Sequence, residues 1–456
     1  MKKQISLSLL AGLVAWSVGV NAPVHAAEYF AKVEVPAGWT VPVSAESAVI
    51  SDEWWQEFGD PILNTLVRAA LASNQDLAVA AARIEQARAL VDSSEADRRP
   101  RLDAGVSGQR TRDGSGAPSI EQSSIGLRAG WEVDLFGRGA QGISAAKADA
   151  EVARMAWQAA RIALAADVAT AYFELRTLDQ RLVLRREAVD VLQRQVGVAS
   201  RKFEAGMVAS LEVQRWRVEL ARENATLAEI QAQQDLRLRQ LSLLLGSSAL
   251  PDLSSAGGPG RMVGAPATSL PGELLERRPD VQRQARALDA ALARAGVAKR
   301  EVYPSLQINW SGSRERIAEL GASAAPKMAL GYGVSLSMPI LDGGRIKANI
   351  AVQDARVKEA AAEYEKAILA ALVDVESRLT QWSASGIAQD QWEQAHAAAV
   401  IASQSAKRVY DAGSGDVSAV LDTRRAQLQS AEALVLATGA RWEAAIGLRR
   451  AFAGSL

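Results

Sequence analysis

Hydrophobic positions along this chain switch from a period of two to a period near three and a half, and they do so twice. In residues 122–136 the apolar Ile125, Leu127, Ala129, Trp131, Val133 and Leu135 share one parity, and Ser124, Arg128, Glu132 and Asp134 share the other. In residues 328–341, Leu330, Tyr332, Val334, Leu336, Met338 and Ile340 likewise fall on one parity. Such alternation predicts strands with one apolar and one wet face. Residues 101–112 and 305–316 are read as their partners, and Asp113-Gly114-Ser115-Gly116-Ala117-Pro118 is turn chemistry between the first two. Each pair is preceded by a helical pattern. One helix is expected over 61–97, where Leu63, Leu66, Val67, Ala70 and Leu71 recur at helical spacing and Pro100 stops it. A second is expected to start near Glu273 and to stop at Tyr303-Pro304.

After each strand pair comes a long stretch without proline. The seam Ala165, Val168, Tyr172, Leu175, Leu178, Leu182, Val189, Leu192 and Val196 steps by threes and fours, breaks around Gly206, and resumes to about Leu245. Ile346, Ile350, Val357, Ala361, Tyr364, Ile368, Leu372, Val375, Leu379 and Trp382 form the second seam, interrupted at Tyr410–Asp416. At 1.5 Å per residue, a helix over 140–203 is roughly 95 Å long, which suits a rod better than a compact core. Pro100 matches Pro304, Asp76 matches Asp280, Phe203 matches Tyr410 and Gly206 matches Gly413. The offset stays near ~205 residues, so the chain is one unit and its copy. The expected organisation is a leader over 1–26, an N-terminal arm over 27–60, a first repeat over 61–246, a Pro/Gly/Ser linker over 247–272 and a second repeat over 273–456. Each repeat reads helix, two strands, then a long helical hairpin.

Composition narrows the function. Formal net charge is zero, which leaves no basic field for nucleic acid. Cysteine is absent, which removes disulfides, thiolate metal sites and thiol nucleophiles. His25 and His396 are the only histidines. No Ser/His/Asp set, phosphate loop or metal spacing occurs, so neither an enzyme nor a cofactor is expected. Glu85, Asp92 and Glu95 read as an ordinary solvated helix face. Lys2 and Lys3, the apolar run Ile5–Val20 and Val24-His25-Ala26 form a signal peptide, too short to be a spanning anchor. No later stretch approaches the ~20 apolar residues of a spanning helix. A membrane-bound form of the mature chain must therefore cross by strands.

Strands cross lipid only as a closed barrel, because every backbone group there must be paired. Four strands leave two raw edges, and the smallest single-chain barrels use eight. Three copies would supply twelve strands and a coaxial twelve-helix tube. The fold class expected is mainly α with membrane β, a homotrimer whose 12-stranded β-barrel continues into a 12-helix periplasmic tunnel. The rival reading of the same periodicity is a soluble periplasmic coiled-coil scaffold whose strands make a small cap.

Several segments resemble a known family. Asp52-Glu53-Trp54-Trp55 through Phe58-Gly59-Asp60-Pro61 is similar to the start of outer-membrane efflux proteins of the TolC type, in the NodT-like branch. Trp131-Glu132-x-Asp134-Leu135-Phe136-Gly137-Arg138 resembles that family's first strand-to-helix junction, and Pro339-Ile340-x-Asp342-Gly343-Gly344-Arg345 its second. Asp167 to Arg176 and Arg277-Arg278-Pro279-Asp280 are further matches, so the likeness spans the mature chain. It implies an exit duct of a tripartite RND-type efflux pump in the outer membrane, passing small toxic compounds. The implied partners are a periplasmic adaptor and an inner-membrane pump. A duct for type I protein secretion is the alternative within the same architecture. Many relatives in this branch carry a lipidated N-terminal cysteine. This chain has none, so the barrel alone is expected to hold it in lipid.

Two places are candidates for work. The hairpin tips Gly206-Met207-Val208-Ala209 and Gly413-Ser414-Gly415-Asp416 would face the adaptor in similar proteins, besides serving as plain turns. Ser418, Asp422 and Arg425 share a helix face just past the second tip. In similar channels that stretch lines the closed periplasmic aperture. Ser418 stands where an apolar residue commonly narrows it, so the likeness does not carry a hydrophobic constriction to this chain. Arg215 is the first-repeat counterpart of Asp422, and the bland alternative is a surface ion pair worth ~0–1 kcal/mol. Gly343-Gly344, like Gly137 before Arg138, is read as a tight turn launching a helix. The Trp54-Trp55 cluster is read as a packing anchor rather than a ligand platform.

Overall fold

Two helices of 67 residues each, α3 (Arg138–Glu204) and α7 (Arg345–Asp411), set the dimensions of the molecule. Each is about 100 Å long. The computed structural model describes residues 33–40, 53–112, 120–249, 253, 264, 271–319 and 325–453. The leader, the turn at 113–118, most of the 247–272 linker and much of the 27–60 arm lie outside the described residues. The remaining helices are α1 (Pro61–Ser73), α2 (Gln75–Ala96), α4 (Ser210–Leu244), α5 (Pro271–Arg277), α6 (Pro279–Arg300) and α8 (Val417–Phe452). Strands β1 (Arg101–Thr111), β2 (Ile120–Val133), β3 (Ser305–Glu319) and β4 (Lys327–Ser337) complete the order. The duplication is visible element by element: short helix, helix, hairpin of strands, 67-residue helix, shorter return helix.

The helix expected over 61–97 is two helices. Its break at Asn74 has a local cause. Asn74 leaves helical backbone, and its Oδ1 accepts from the Leu77 amide at 3.0 Å, capping α2. Its Nδ2 and the Ser73 hydroxyl donate to the Leu244 and Leu245 carbonyls, which end α4. The second repeat breaks in the corresponding place, between α5 and Pro279 at the start of α6.

All four strands lie in one antiparallel sheet in the order β1-β2-β3-β4, so the two repeats are joined through β2 and β3. Among the described residues both sheet edges are open. Strands β2 and β4 stop earlier than the alternation suggested, at Val133 and Ser337. The next residues leave the ladder because Asp134 and Asp342 turn to cap the long helices. Register sorts the side chains. Leu102, Ala104 and Val106 lie beside Ala129, Leu127 and Ile125, and Trp131 and Ala129 lie beside Ile308 and Trp310. Those two lie beside Val334 and Tyr332. The opposite face carries Ser107, Gln109, Ser124, Arg128, Gln307, Asn309, Ser311 and Ser335. One face is therefore apolar and the other wet, yet both are open: Tyr332 is 93% exposed and Leu330 73%.

The main core sits where the helices of the two repeats meet, far from the sheet. Trp54, Trp55 and Phe58, on a short 3₁₀ turn, are buried with Phe173, Trp442 and Val168. Phe58 lies 5.4 Å from Phe173 and 5.5 Å from Trp442, so the aromatic cluster of the arm is a packing anchor. Asp60 ties the arm to that core. Its Oδ1 accepts from the Ile62 and Leu63 amides at the start of α1, and Oδ2 accepts from the Tyr172 hydroxyl at 2.6 Å. Among the described residues no helix is long and apolar enough to cross a membrane.

Candidate functional site

The tip end of the molecule is built from two tight turns. Gly206 (φ 71°) and Gly413 (φ 75°) take left-handed backbone, which costs a glycine little. The Gly206 amide donates to the Phe203 carbonyl and the Gly413 amide to the Tyr410 carbonyl, both at 2.9 Å. Met207 is 72% exposed just after the first turn. Ala209 precedes α4, and Asp416 caps α8 by accepting from the Ser418 amide at 3.1 Å.

Asp416 also joins the two tips. Lys202, in the last turn of α3, donates to its carboxylate at 2.9 and 3.2 Å and approaches the Ser418 hydroxyl at 3.5 Å. These bonds, Lys202's first, hold the Asp416 carboxyl below its usual range. Higher up, Arg424 of α8 pairs with Glu187 of α3. Higher still, Glu432 of α8 pairs with both Arg181, at 3.0 Å, and Arg185. Arg185 also holds Glu223 of α4 at 2.9 Å. Three levels of ion pairs thus fix α8 against α3.

The aperture residues divide. Arg425 lies over the Trp216 ring of α4, 5.7 Å from its centroid, and Arg215 lies 5.6 Å from the same ring. Asp422 is exposed, and among the described residues it has no ion-pair partner; it does not pair with Arg425. Ser418 and Asp416 are brought together with Lys202, while Asp422 and Arg215 are not joined to each other. Sequence reasoning missed Lys202, Trp216, Arg181, Arg185, Glu223 and Glu432. One signal was available: Arg185 falls on the apolar seam between Leu182 and Val189, where a charge must find a partner. Of the carboxylates read as solvated, Glu85 and Asp92 are exposed, and Glu95 pairs with Lys147 at 2.9 Å.

The strand-to-helix junctions repeat one device. Gly137 (φ 75°) and Gly344 (φ 88°) are the N-caps of the long helices, with Gly343 (φ 66°) beside the latter. Glycine has no side-chain oxygen, so the carboxylate before it takes over the capping. Asp134 accepts from the Gly139 and Ala140 amides, and Asp342 from the Gly344 and Ile346 amides. Those amide bonds depress the Asp342 carboxyl. Arg138 pairs with Glu132 and Arg345 with Glu301. The two junctions share a cleft of about 420 Å³, into which Arg300 and Tyr303 also project.

A duplicated unit with a two-faced sheet at one end and paired helical hairpins at the other matches one family across both copies. The model of the outer membrane efflux protein family fits residues 66–247 and 270–454. This chain belongs to the outer membrane efflux protein family. The pyoverdine export outer membrane protein OpmQ of Pseudomonas putida is 29% identical over 441 residues, covering 90% of this chain and 92% of that protein. The outer membrane protein OprJ of Pseudomonas aeruginosa is 30% identical over 429 residues, covering 90% and 87%. Among solved structures, the outer-membrane channel OprN superposes with a TM-score of 0.78 at 28% identity, over 93% of this chain and 98% of that one. As an efflux protein of this family, the chain is an outer-membrane channel component.

Proposed function

We propose that this efflux protein is the exit duct of a tripartite pump, assembled as a homotrimer. The observation that carries the reading is the sheet: four strands, one apolar face, one wet face and two unpaired edges. Backbone groups on those edges cannot stay unpaired in lipid, so β4 of one copy pairs with β1 of the next. Twelve strands then close around the Ser, Gln and Asn face, and the apolar face meets hydrocarbon. Twelve helices prolong the barrel as a tunnel into the periplasm. An inner-membrane RND-type pump supplies small toxic compounds, and a periplasmic adaptor docks at the tips around Gly206-Met207-Val208-Ala209 and Gly413-Ser414-Gly415. The cargo named for relatives varies, pyoverdine for OpmQ and toluene for the TtgI pump, which suits a passive duct. In detergent, native mass measurement of the outer-membrane protein is expected to give three chains. A stable folded single chain would refute the shared barrel.

The aperture in this reading is the tip end of α8. Three copies of Asp422 would converge near the axis beside three copies of Arg425, and pairing between neighbours would hold the tube shut. Asp422→Ala and Arg425→Ala are each expected to raise single-channel conductance in planar bilayers, with Glu85→Ala unchanged. Wild-type behaviour in both aperture variants would leave this face an ordinary surface.

Within each copy, Lys202–Asp416 is the lowest latch, and it sets a pH dependence. A carboxylate held below its ordinary value of about 4 contributes stability above that value and loses it as pH falls through the lower folded value. Acidification through that window is therefore expected to raise open probability. Lys202→Met should start from the raised level and show a smaller acid step. Superimposable titrations for the two proteins would discard this contact as a latch.

A further inference from the structure

The apolar face of the sheet ends in charge, and only at the end remote from the helices. Along β3 that face runs Leu306, Ile308, Trp310 and Gly312, then turns basic at Arg314 and Arg316. On β1 it continues past Val106 to Arg110, which lies opposite Glu121 of β2 and pairs with it at 3.3 Å. Arg314 and Arg316 are exposed, and among the described residues neither has an ion-pair partner. The carboxylate between them, Glu315, belongs to the wet face, where the Ser313 hydroxyl bonds it at 3.2 Å. Arg314 lies opposite Met328, in the second row of β4, and Arg316 stands one row past the end of that strand, opposite Ser123 of β2.

The position fixes what these groups meet. Val133 to Ile125 on β2 covers eight residue steps, about 27 Å of strand, or about 20 Å of height at the tilt of a barrel strand, most of the ~25 Å outward-facing band. An arginine in the middle of such a band is costly, but the cost falls to about 0–1 kcal/mol at the interface. Arg314 and Arg316 lie roughly 7 Å apart on one face. Guanidinium forks match phosphate oxygens two at a time. In an outer membrane the outward leaflet presents phosphorylated glycolipid.

We propose that Arg314 and Arg316 form a docking site for the phosphate groups of lipopolysaccharide at the outer rim of the barrel. The proposal rests on the barrel reading above, because it needs the apolar face to be the lipid face. Arg110 contributes little free charge there, since Glu121 already neutralises it.

The test compares two lipids on the purified assembled channel by native mass spectrometry: bisphosphorylated lipid A, and the same lipid A with its phosphates removed. Wild type is expected to retain the phosphorylated lipid roughly tenfold better. Arg314→Gln/Arg316→Gln should lose that preference, Arg314→Lys/Arg316→Lys should keep part of it, and Arg128→Gln on the opposite face should keep it all. Equal retention of the two lipids by wild type, or an undiminished preference in the double glutamine variant, would overturn the site. Failure of the barrel reading looks different: wild type would assemble no trimer and would bind neither lipid.

Discussion

Val334→Arg is expected to cost about 2–4 kcal/mol, the penalty for a guanidinium near the middle of a barrel's lipid face. Val334 lies on the apolar face, with Leu330 and Tyr332 before it and Leu336 after it on the same side of β4. Ser335→Arg, one residue on, should cost little, because its side chain enters the wet face beside Gln307 and Asn309. The same substitution at adjacent positions thus separates lipid from lumen. The measurement is the denaturant midpoint of the assembled protein in detergent, with its yield from outer membranes. Equal losses at the two positions would mean that the sheet is not a two-faced membrane wall. A larger loss at Ser335 would mean that the faces are assigned the wrong way round.

The second large effect belongs to the core. Arg449 of α8 is 1% exposed. Its Nε donates to Glu57 at 2.9 Å, its Nη2 to the Gly264 carbonyl at 3.1 Å, and its Nη1 to Ala445 at 3.3 Å. Burial draws its proton affinity down, and Glu57 offsets part of that. Removing Glu57 leaves a buried cation without its anion, whereas removing Arg449 leaves a carboxylate that water can still reach. Glu57→Leu is therefore expected to cost about 2–4 kcal/mol, near the lower end of broken buried pairs. Arg449→Met should cost less, since it removes the buried charge and keeps most of the volume. Thermal unfolding of the two variants orders them, and a more damaging Arg449→Met would show that the hydrogen bonds to Gly264 and Ala445 outweigh the charge.

The motif segments that carried the family likeness turn out to be joints. Arg278 of the Arg-Arg-Pro-Asp segment reaches Asp280, Asp374 of α7 and the Ala451 carbonyl of α8. Tyr172 and Phe173 of the Asp167–Arg176 segment sit in the core under the arm. Asp134 and Asp342 cap the two long helices across a glycine. These residues act on where elements meet, so a short motif can identify the architecture while saying nothing of cargo.

What the sequence determined by itself is everything local in period. The two-residue alternation of Ile125 to Val133 and of Leu330 to Leu336 specified strands. The seams through Tyr172 and Tyr364 specified the long helices, and Gly206 and Gly413 their turns. Periodicity reports which side of an element is apolar, and that side is set by the residues of the element alone. Tertiary structure decided the rest, because it depends on partners distant in sequence. Asn74 caps α2 locally, but its side-chain amide also reaches the Leu244 carbonyl, a bond that the local sequence does not announce. The even-numbered residues of β1 and the odd-numbered residues of β2 became one face only through their register. Arg425 met Trp216, Lys202 met Asp416, and Arg185 was drawn between Glu223 and Glu432, each across two or three helices. A charge in a sequence carries no record of its counter-charge; only the packing of α3, α4 and α8 supplies it.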